Sequence, residues 1–288
     1  MTLKFMVTGA AGQLGGLVID ALLKDHAPAE IGALVRRAEA AAALEARGLA
    51  VRLATYDDLP ALTKALAGVE RLLLISGSEV GQRAAQHANV IAAAKAAGVG
   101  FVAYTSLLGA ATSPLGILPP EHVATEAALA ASGLPYAILR NGWYTENYAM
   151  SAGPALQHGA LIGAAGQGRI SSAARADYAA AAAAVLAGDL PASGTVFELA
   201  GDDSFTLADL AAFLSEHAGK PVPYIDMPEA EYAAALIGAG LPEGLARMLA
   251  DSDRGAAAGG LHSKDRTLSR LIGRPTTPWR DTVRAMLG

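Results

Sequence analysis

The sequence predicts an α/β protein, a doubly wound parallel sheet with a smaller, mainly helical C-terminal lobe. Three observations predict it. Strand and helix signals alternate from Leu3 to about residue 150, the mark of a parallel sheet covered on both faces. The fourth candidate strand, Arg71-Leu72-Leu73-Leu74-Ile75, is almost continuously apolar, as a central strand buried on both sides should be. The first strand runs straight into a turn whose glycines recur every third residue, and a helix follows.

The elements follow in order. Leu3 to Val7 is the first strand, and the amphipathic spacing of Leu14, Leu17, Val18, Ala21 and Leu22 predicts the first helix. Ile31 to Val35 is the second strand, ending in Arg36-Arg37. A helix over Ala38 to Arg47 is stopped by Gly48, and Ala50 to Ala54 is the third strand, leading to Tyr56-Asp57-Asp58. A helix from Leu59 to Leu66 ends at Gly68. The fourth strand opens into Ser76-Gly77-Ser78-Glu79-Val80-Gly81, and a long helix from Arg83 to Ala97 closes at Gly98. Phe101 to Ser106 is the fifth strand. Pro119-Pro120 starts a helix from Glu121 to Ala131, and Tyr136 to Leu139 is the sixth strand, feeding a polar loop from Arg140 to Asn147. Beyond residue 150 the rhythm loosens. A glycine-rich stretch, Gly159 to Gly168, reads as a short strand with turns, Asp177 to Ala187 as a helix with Asp177 as its N-cap, Thr195 to Leu199 as a strand, and Thr206 to Gly288 as mainly helical. Residues 1–150 are expected as one domain and 151–288 as a smaller lobe, with an approximate boundary and interleaved segments.

Composition excludes several classes. Of 288 residues 52% are hydrophobic and 17% charged, ample for a large core, and mean hydropathy is +0.32. The apolar excess is largely alanine, and the run Ala179 to Ala187 is too short to span a bilayer, so no membrane insertion is expected. No signal peptide is read at the N-terminus, which enters a strand at once. The chain has no cysteine, which excludes disulfides, a thiol nucleophile and Cys-ligated metals and fits a reducing cytoplasm. A net charge of −5 without a basic cluster argues against nucleic acid, and the six histidines show no metal-type spacing, so no metal is expected.

The opening unit, Thr8-Gly9-Ala10-Ala11-Gly12-Gln13-Leu14-Gly15, points to a dinucleotide held on a Rossmann-type sheet. Gly9 permits a turn too tight for a Cβ, Gly12 lets backbone approach a pyrophosphate, and Gly15 lets the helix pack closely. Ala11 lies in the same loop, and the N–H groups of Gln13 and Leu14 would face the phosphates at the positive end of the helix. The residue ending the second strand reads the adenosine ribose. An acid there accepts from the 2′-hydroxyl of NAD. Arg36 instead suits the 2′-phosphate, which makes NADPH the expected cofactor. The carboxyl ends of the other strands border the ligand crevice of such a sheet. They bring Asp57, then Ser76, Gly77, Ser78 and Glu79, then Asn141 and Gly142 into the expected cofactor-binding set, and place Tyr104, Tyr144 and Asn147 where the nicotinamide and substrate should sit.

At these residues the chain resembles the NmrA-like branch of the atypical short-chain dehydrogenase/reductases, and within it the bacterial type 2 NAD(P)H:quinone oxidoreductases. Besides the glycine unit, the resemblance rests on Leu73-Leu74-Ile75-Ser76-Gly77-Ser78-Glu79-Val80-Gly81-Gln82-Arg83 and Ala103-Tyr104-Thr105-Ser106-Leu107-Leu108. It continues in Leu139-Arg140-Asn141-Gly142-Trp143-Tyr144-Thr145-Glu146-Asn147-Tyr148, Arg175-Ala176-Asp177-Tyr178 and Leu271-Ile272-Gly273-Arg274-Pro275. It spans nearly the whole chain. What it implies is NADPH on the Rossmann domain and two-electron reduction of a small-molecule quinone, without flavin or metal. NmrA-like proteins also include redox sensors that bind NADP(H) without turnover, and that reading stays as the alternative. Self-association is left open.

One departure from ordinary short-chain reductases narrows the reaction. Their Tyr-x-x-x-Lys belongs early in the helix after the fifth strand, where this chain reads Glu121-His122-Val123-Ala124-Thr125-Glu126. Hydride transfer to a ketone makes an alkoxide about as basic as hydroxide, near pKa 15.7, and so requires a matched acid. Hydride transfer to a quinone makes a phenolate-like oxygen with a pKa of about 10, which needs only hydrogen-bond donors and a solvent proton. Asn147 is expected to donate to a quinone carbonyl or to hold the nicotinamide ribose, with a loop asparagine bonding its own backbone as the plain alternative. Tyr144 and Trp143 flank a planar ring or pack the lobe. Tyr104, at the end of its strand, faces the nicotinamide or the core. His122 is expected as a surface i,i+4 partner of Glu126, with proton donation as the alternative, and Ser76 to Gln82 as a loop that either closes over the cofactor or is a plain connection.

Overall fold

Strand follows helix from the first residues onward in the computed structural model of the chain, which describes residues 2–288. The elements are β1 (Leu3–Val7), α1 (Gln13–Leu22), β2 (Ile31–Val35), α2 (Ala41–Glu45), β3 (Ala50–Leu53), α3 (Leu59–Leu66), β4 (Val69–Leu74), α4 (Arg83–Ala96), β5 (Phe101–Leu107), α5 (Pro119–Ser132) and β6 (Tyr136–Asn141). They continue with α6 (Thr145–His158), β7 (Leu161–Gly163), α7 (Arg175–Ala187), β8 (Thr195–Leu199), α8 (Leu207–Ala218), β9 (Tyr224–Asp226), α9 (Glu229–Gly238), α10 (Glu243–Ala257), α11 (Thr267–Ile272) and α12 (Trp279–Leu287).

The chain forms two compact units. The first holds residues 1–107, 121–141 and 175–197, and the second holds residues 108–120, 142–174 and 198–288. The first unit carries the large sheet, in the order β3-β2-β1-β4-β5-β6-β8. Its pairings from β3 to β6 are all parallel, with Phe5 opposite Ile31 on one side of β1 and opposite Arg71 on the other. From β1 the chain winds outward through β2 and β3, then returns to β4 and winds the other way. The order therefore reverses between β1 and β4, the switch point at which open α/β sheets bind ligands. Met6, Leu34, Leu72, Leu74, Val102 and Ile138 form part of the core, packed with buried residues of α3 and α4. Alanine-rich α7 lies against α1, since small side chains allow helices close approach.

In the second unit β7 and β9 form a parallel pair with Leu161 opposite Tyr224. Around α6, α8 and α12 the rings of Tyr148, Phe205, Trp279 and Phe213 meet edge-on or tilted, 4.6 to 5.6 Å between centroids. Helix α8 starts with a capping box, Thr206 and Asp209 exchanging side-chain and backbone bonds, and ends on Gly219 at φ +62°.

Several sequence boundaries shift for identifiable reasons. The helix expected over Ala38 to Arg47 is a 3-10 turn, Ala38–Ala40, then a short α2, because Leu49 N–H already closes on the Leu44 carbonyl around Gly48 in the left-handed region. Strand β6 runs two residues further than Leu139: Arg140 and Asn141 pair with Ser106 and Leu107. Asp177 is not an N-cap. It lies inside the first turn of α7, fully buried, because the helix already starts at Arg175. Asn147 is not a loop residue either, as it sits in the first turn of α6.

Candidate functional site

The glycine turn has the geometry its spacing predicts. Gly9 adopts φ +56°, where a Cβ is strained. Gly12 N–H donates to the Gly9 carbonyl at 2.8 Å, and a Cβ on Gly12 would stand 3.1 Å from that oxygen. A Cβ on Gly15 would overlap the same carbonyl and lie 2.9 Å from the Ala10 Cα. The first turn of α1 thus rests directly on the loop backbone. Gly12 is the N-cap and no side chain caps the helix. The first intrahelical bond runs from Gly16 N–H to the Gly12 carbonyl at 2.9 Å, so the N–H groups of Gln13, Leu14 and Gly15 point beyond the helix end. Ala11, Gly12 and Gln13 are exposed, which leaves this end open to an anion. Buried threonines tie the neighbouring strand ends. The Thr8 hydroxyl accepts from Ile75 N–H and the Thr105 hydroxyl from Ser76 N–H, both at 2.9 Å.

At the end of β2, Arg36 donates to Glu79 Oε1 at 2.6 Å. The other carboxylate oxygen, Glu79 Oε2, accepts from Gln86 Nε2 at 3.0 Å, and the same amide nitrogen reaches Asp57 Oδ2 at 3.5 Å. The fold therefore gathers Arg36, Asp57 and Glu79 around Gln86, a buried residue that sequence reasoning passed over. Its signal was its place one turn into the helix that follows the Ser76–Gly81 loop. Beside it Tyr56 donates to the Ile75 carbonyl at 3.3 Å, and burial pushes its phenol up to about 12.

The segment from Ser76 to Gln82 is hydrogen-bonded at both ends. Gly77 N–H donates to His87 Nε2 at 3.0 Å and the Gly77 carbonyl accepts from Arg83 Nε at 2.6 Å. At the far end the N–H groups of Gly81 and Arg83 both donate to Glu121 Oε1 at 3.0 Å, and Arg83 is ion-paired with the same carboxylate. Both ends are fastened to α4 and α5 despite two glycines.

The polar side chains early in α5 are committed to other work. His122 is not a surface partner of Glu126. It is 7% exposed and its Nδ1 is 2.8 Å from the Tyr104 hydroxyl. Burial, then the Arg83 charge, then His87 hold its pKa down at about 3, so it is neutral at ordinary pH and cannot act as an imidazolium acid. His87 is likewise lowered to about 4, mainly by burial. Because its Nε2 accepts from Gly77, its Nδ1 carries the proton that bonds the Thr125 hydroxyl at 2.9 Å. Glu126 faces Ser106 and Arg140. Ser106 donates to it at 2.6 Å, and Arg140 binds both of its oxygens, at 2.9 and 2.6 Å. Tyr104 does not end its strand. It lies inside β5, between Leu74 and Ile138, and is fully buried, which pushes its phenol far above the usual value.

In the second unit, Gly142 N–H donates to the Leu199 carbonyl at 2.8 Å. The following residues then join Ala173: Ala173 N–H to the Trp143 carbonyl at 3.2 Å, and Thr145 N–H to the Ala173 carbonyl at 2.9 Å. The Thr145 hydroxyl meets Ser172 at 2.8 Å. These bonds fix the entry into α6 and hold Trp143, Tyr144 and Asn147 half-exposed around one turn, with Asn147 N–H donating to the Tyr144 carbonyl at 3.0 Å.

A family model described as NAD(P)H-binding matches residues 9–189. The chain belongs to this NAD(P)H-binding family. Quinone oxidoreductase 2 of Escherichia coli strain K12 is 59% identical over 277 residues, 96% of each chain. Among solved structures, the NADPH complex of the NADPH-dependent quinone oxidoreductase QOR2 from Escherichia coli superposes with a TM-score of 0.96. It is 57% identical over 99% of this chain and all of that one. The Citrobacter sp. triphenylmethane reductase complexed with NADP(H) reaches 0.93 at 37% identity, covering 98% of this chain and 100% of that one.

Two features of this structure fit a reduced nicotinamide dinucleotide. The glycine cradle is a place a Cβ would fill, at a helix end that presents N–H groups to a diphosphate. The side-chain amide oxygen of Asn141, Oδ1, at the end of β6, is buried with no hydrogen-bond partner among the described residues. A buried acceptor left this way requires a donor, and a carboxamide N–H is one.

Proposed function

We propose that this protein is an NADPH-dependent quinone oxidoreductase that reduces a quinone to the hydroquinone by direct hydride transfer. Its full-length likeness to quinone oxidoreductase 2 supports this reading. The observation that carries it within the structure is the commitment of His122 and Glu126, the one held neutral by burial and the other neutralised by Arg140. With no tyrosine and lysine pair early in this helix, reduction of an ordinary ketone lacks its matched acid, while the phenolate-like oxygen formed from a quinone takes its proton from solvent.

Bound NADPH supplies the hydride from its nicotinamide C4. Gly9, Ala11, Gly12, Gln13, Leu14 and Gly15 receive the diphosphate, Arg36 the 2′-phosphate, and Asn141 the carboxamide. Asp57 and the pinned Ser76–Glu79 segment border the dinucleotide with Gly142. Asn147 donates to a quinone oxygen and Tyr144 stacks on the ring, while a solvent proton completes the hydroquinone. A chain without thiols suits the cytoplasm, where we place it.

Mixing the purified protein with NADPH and a simple quinone tests the reading. Steady, protein-dependent loss of 340-nm absorbance is expected. Tight binding of NADPH without turnover across a quinone panel would instead favour a redox sensor. Arg36→Ala is expected to weaken NADPH about tenfold or more, the loss of one charge-assisted contact, and to leave NADH nearly unchanged in fluorescence titrations. Equal losses for both nucleotides would contradict the role given to Arg36.

A further inference from the structure

We propose that Glu79 is a negative determinant of nucleotide choice: its carboxylate competes with the 2′-phosphate for Arg36 and thereby narrows the preference for NADPH over NADH. The inference rests on the NADPH reading above and adds a residue that opposes it.

Arg36 already has an anion in contact. Its NH1 is 2.6 Å from Glu79 Oε1, and the two side chains are 60% and 41% exposed. Such an exposed pair is weak and exchangeable, so it does not block a doubly charged phosphate. Glu79 cannot simply swing away, however. Its second oxygen is held at 3.0 Å by Gln86, which is itself 5% exposed. The backbone on either side is fastened at Gly77 to His87 and Arg83, and at Gly81 to Glu121. The carboxylate is therefore a fixed negative charge beside the guanidinium. A 2′-phosphate arriving at Arg36 must displace Glu79 or share the guanidinium with it at like-charge distance. The 2′-hydroxyl of NADH meets no such conflict, because a carboxylate accepts from a hydroxyl. Asp57, bonded to the same Gln86, adds to the negative side of this balance.

The test is a set of nucleotide affinities for the intact protein, measured by fluorescence or calorimetry without any quinone. Glu79→Gln keeps a carbonyl acceptor and removes the charge. It should raise the ratio of the NADH to the NADPH dissociation constant by roughly two- to fivefold, the range that an exposed ion pair corresponds to. Glu79→Asp keeps the charge but withdraws it by one methylene. If competition acts through the direct contact, this variant should also raise the ratio. In an Arg36→Ala background, Glu79→Gln should shift the ratio less than it does alone. An unchanged or lowered ratio in Glu79→Gln would overturn the proposal, as would a Glu79→Asp variant that behaves like the parent. If Arg36→Ala itself fails to weaken NADPH selectively, the NADPH reading has failed. If Arg36→Ala is selective and the Glu79 variants are not, only this inference has. Both side chains are exposed, so the variants should fold, and thermal melting confirms that each does.

Discussion

Alanine at Gly15 is expected to abolish useful NADPH binding. The added methyl has no side chain to push aside. It meets the Gly9 carbonyl and the Ala10 Cα, both backbone, so α1 must move away from the turn. Overpacking of this kind costs about 1–3 kcal/mol of stability. The effect on binding is larger, since the N–H groups of Gln13 and Leu14 are aimed only while that contact holds. Losing two charge-assisted hydrogen bonds at roughly 1.5–3 kcal/mol each corresponds to about a hundredfold weaker binding or more. Gly16→Ala supplies the control: a Cβ there meets nothing within 4 Å, so it should bind NADPH normally and melt no lower than the parent. A Gly15→Ala protein with parental NADPH affinity would refute the packing argument.

Asp253→Asn is expected to stabilise the protein at alkaline pH and to flatten its pH profile. Asp253 sits on α10, 7% exposed, with Oδ2 accepting from Ala164 N–H at 2.9 Å. Burial raises its pKa, the Ala164 N–H lowers it, and the Asp226 carboxylate raises it again, to about 6 from 3.8. The folded value lies above the unfolded one. The stabilisation from the protonated group is therefore complete below about pH 4 and is lost as pH rises through 6. The shift corresponds to about 3 kcal/mol at 1.36 kcal/mol per pKa unit. Asparagine keeps an oxygen for Ala164 N–H without the charge. At pH 8 the variant should melt several degrees above the parent, and near pH 4 the two should agree. An equally steep loss between pH 5 and 8 in both proteins would show that another group is responsible.

Much of the fold was legible because it is locally encoded. The limits of α3 follow from Asp58 before Leu59-Pro60, whose carboxylate accepts from Ala61 N–H at 2.9 Å. The buried strands were readable as apolar runs. The polar end of β6 was not, since Arg140 belongs to the sheet only because Glu126, from another element, satisfies it. Gln86 escaped notice for the same reason: an amide on an alanine-rich helix has meaning only beside Glu79 and Asp57.

The sequence by itself determined the glycine cradle, the strand order's first turn and the cation at the end of β2. These depend on backbone sterics and on residues near one another in the chain. Only the tertiary structure decided what His122, Tyr104, Glu126 and Glu79 do. Their partners lie 7 to 43 residues away. Burial then decides their charge state, as with the neutral His122. Helical spacing alone places His122 and Glu126 as neighbours. Desolvation and the partners supplied by β5 and β6 turn them in different directions, the one to Tyr104 and the other to Ser106 and Arg140.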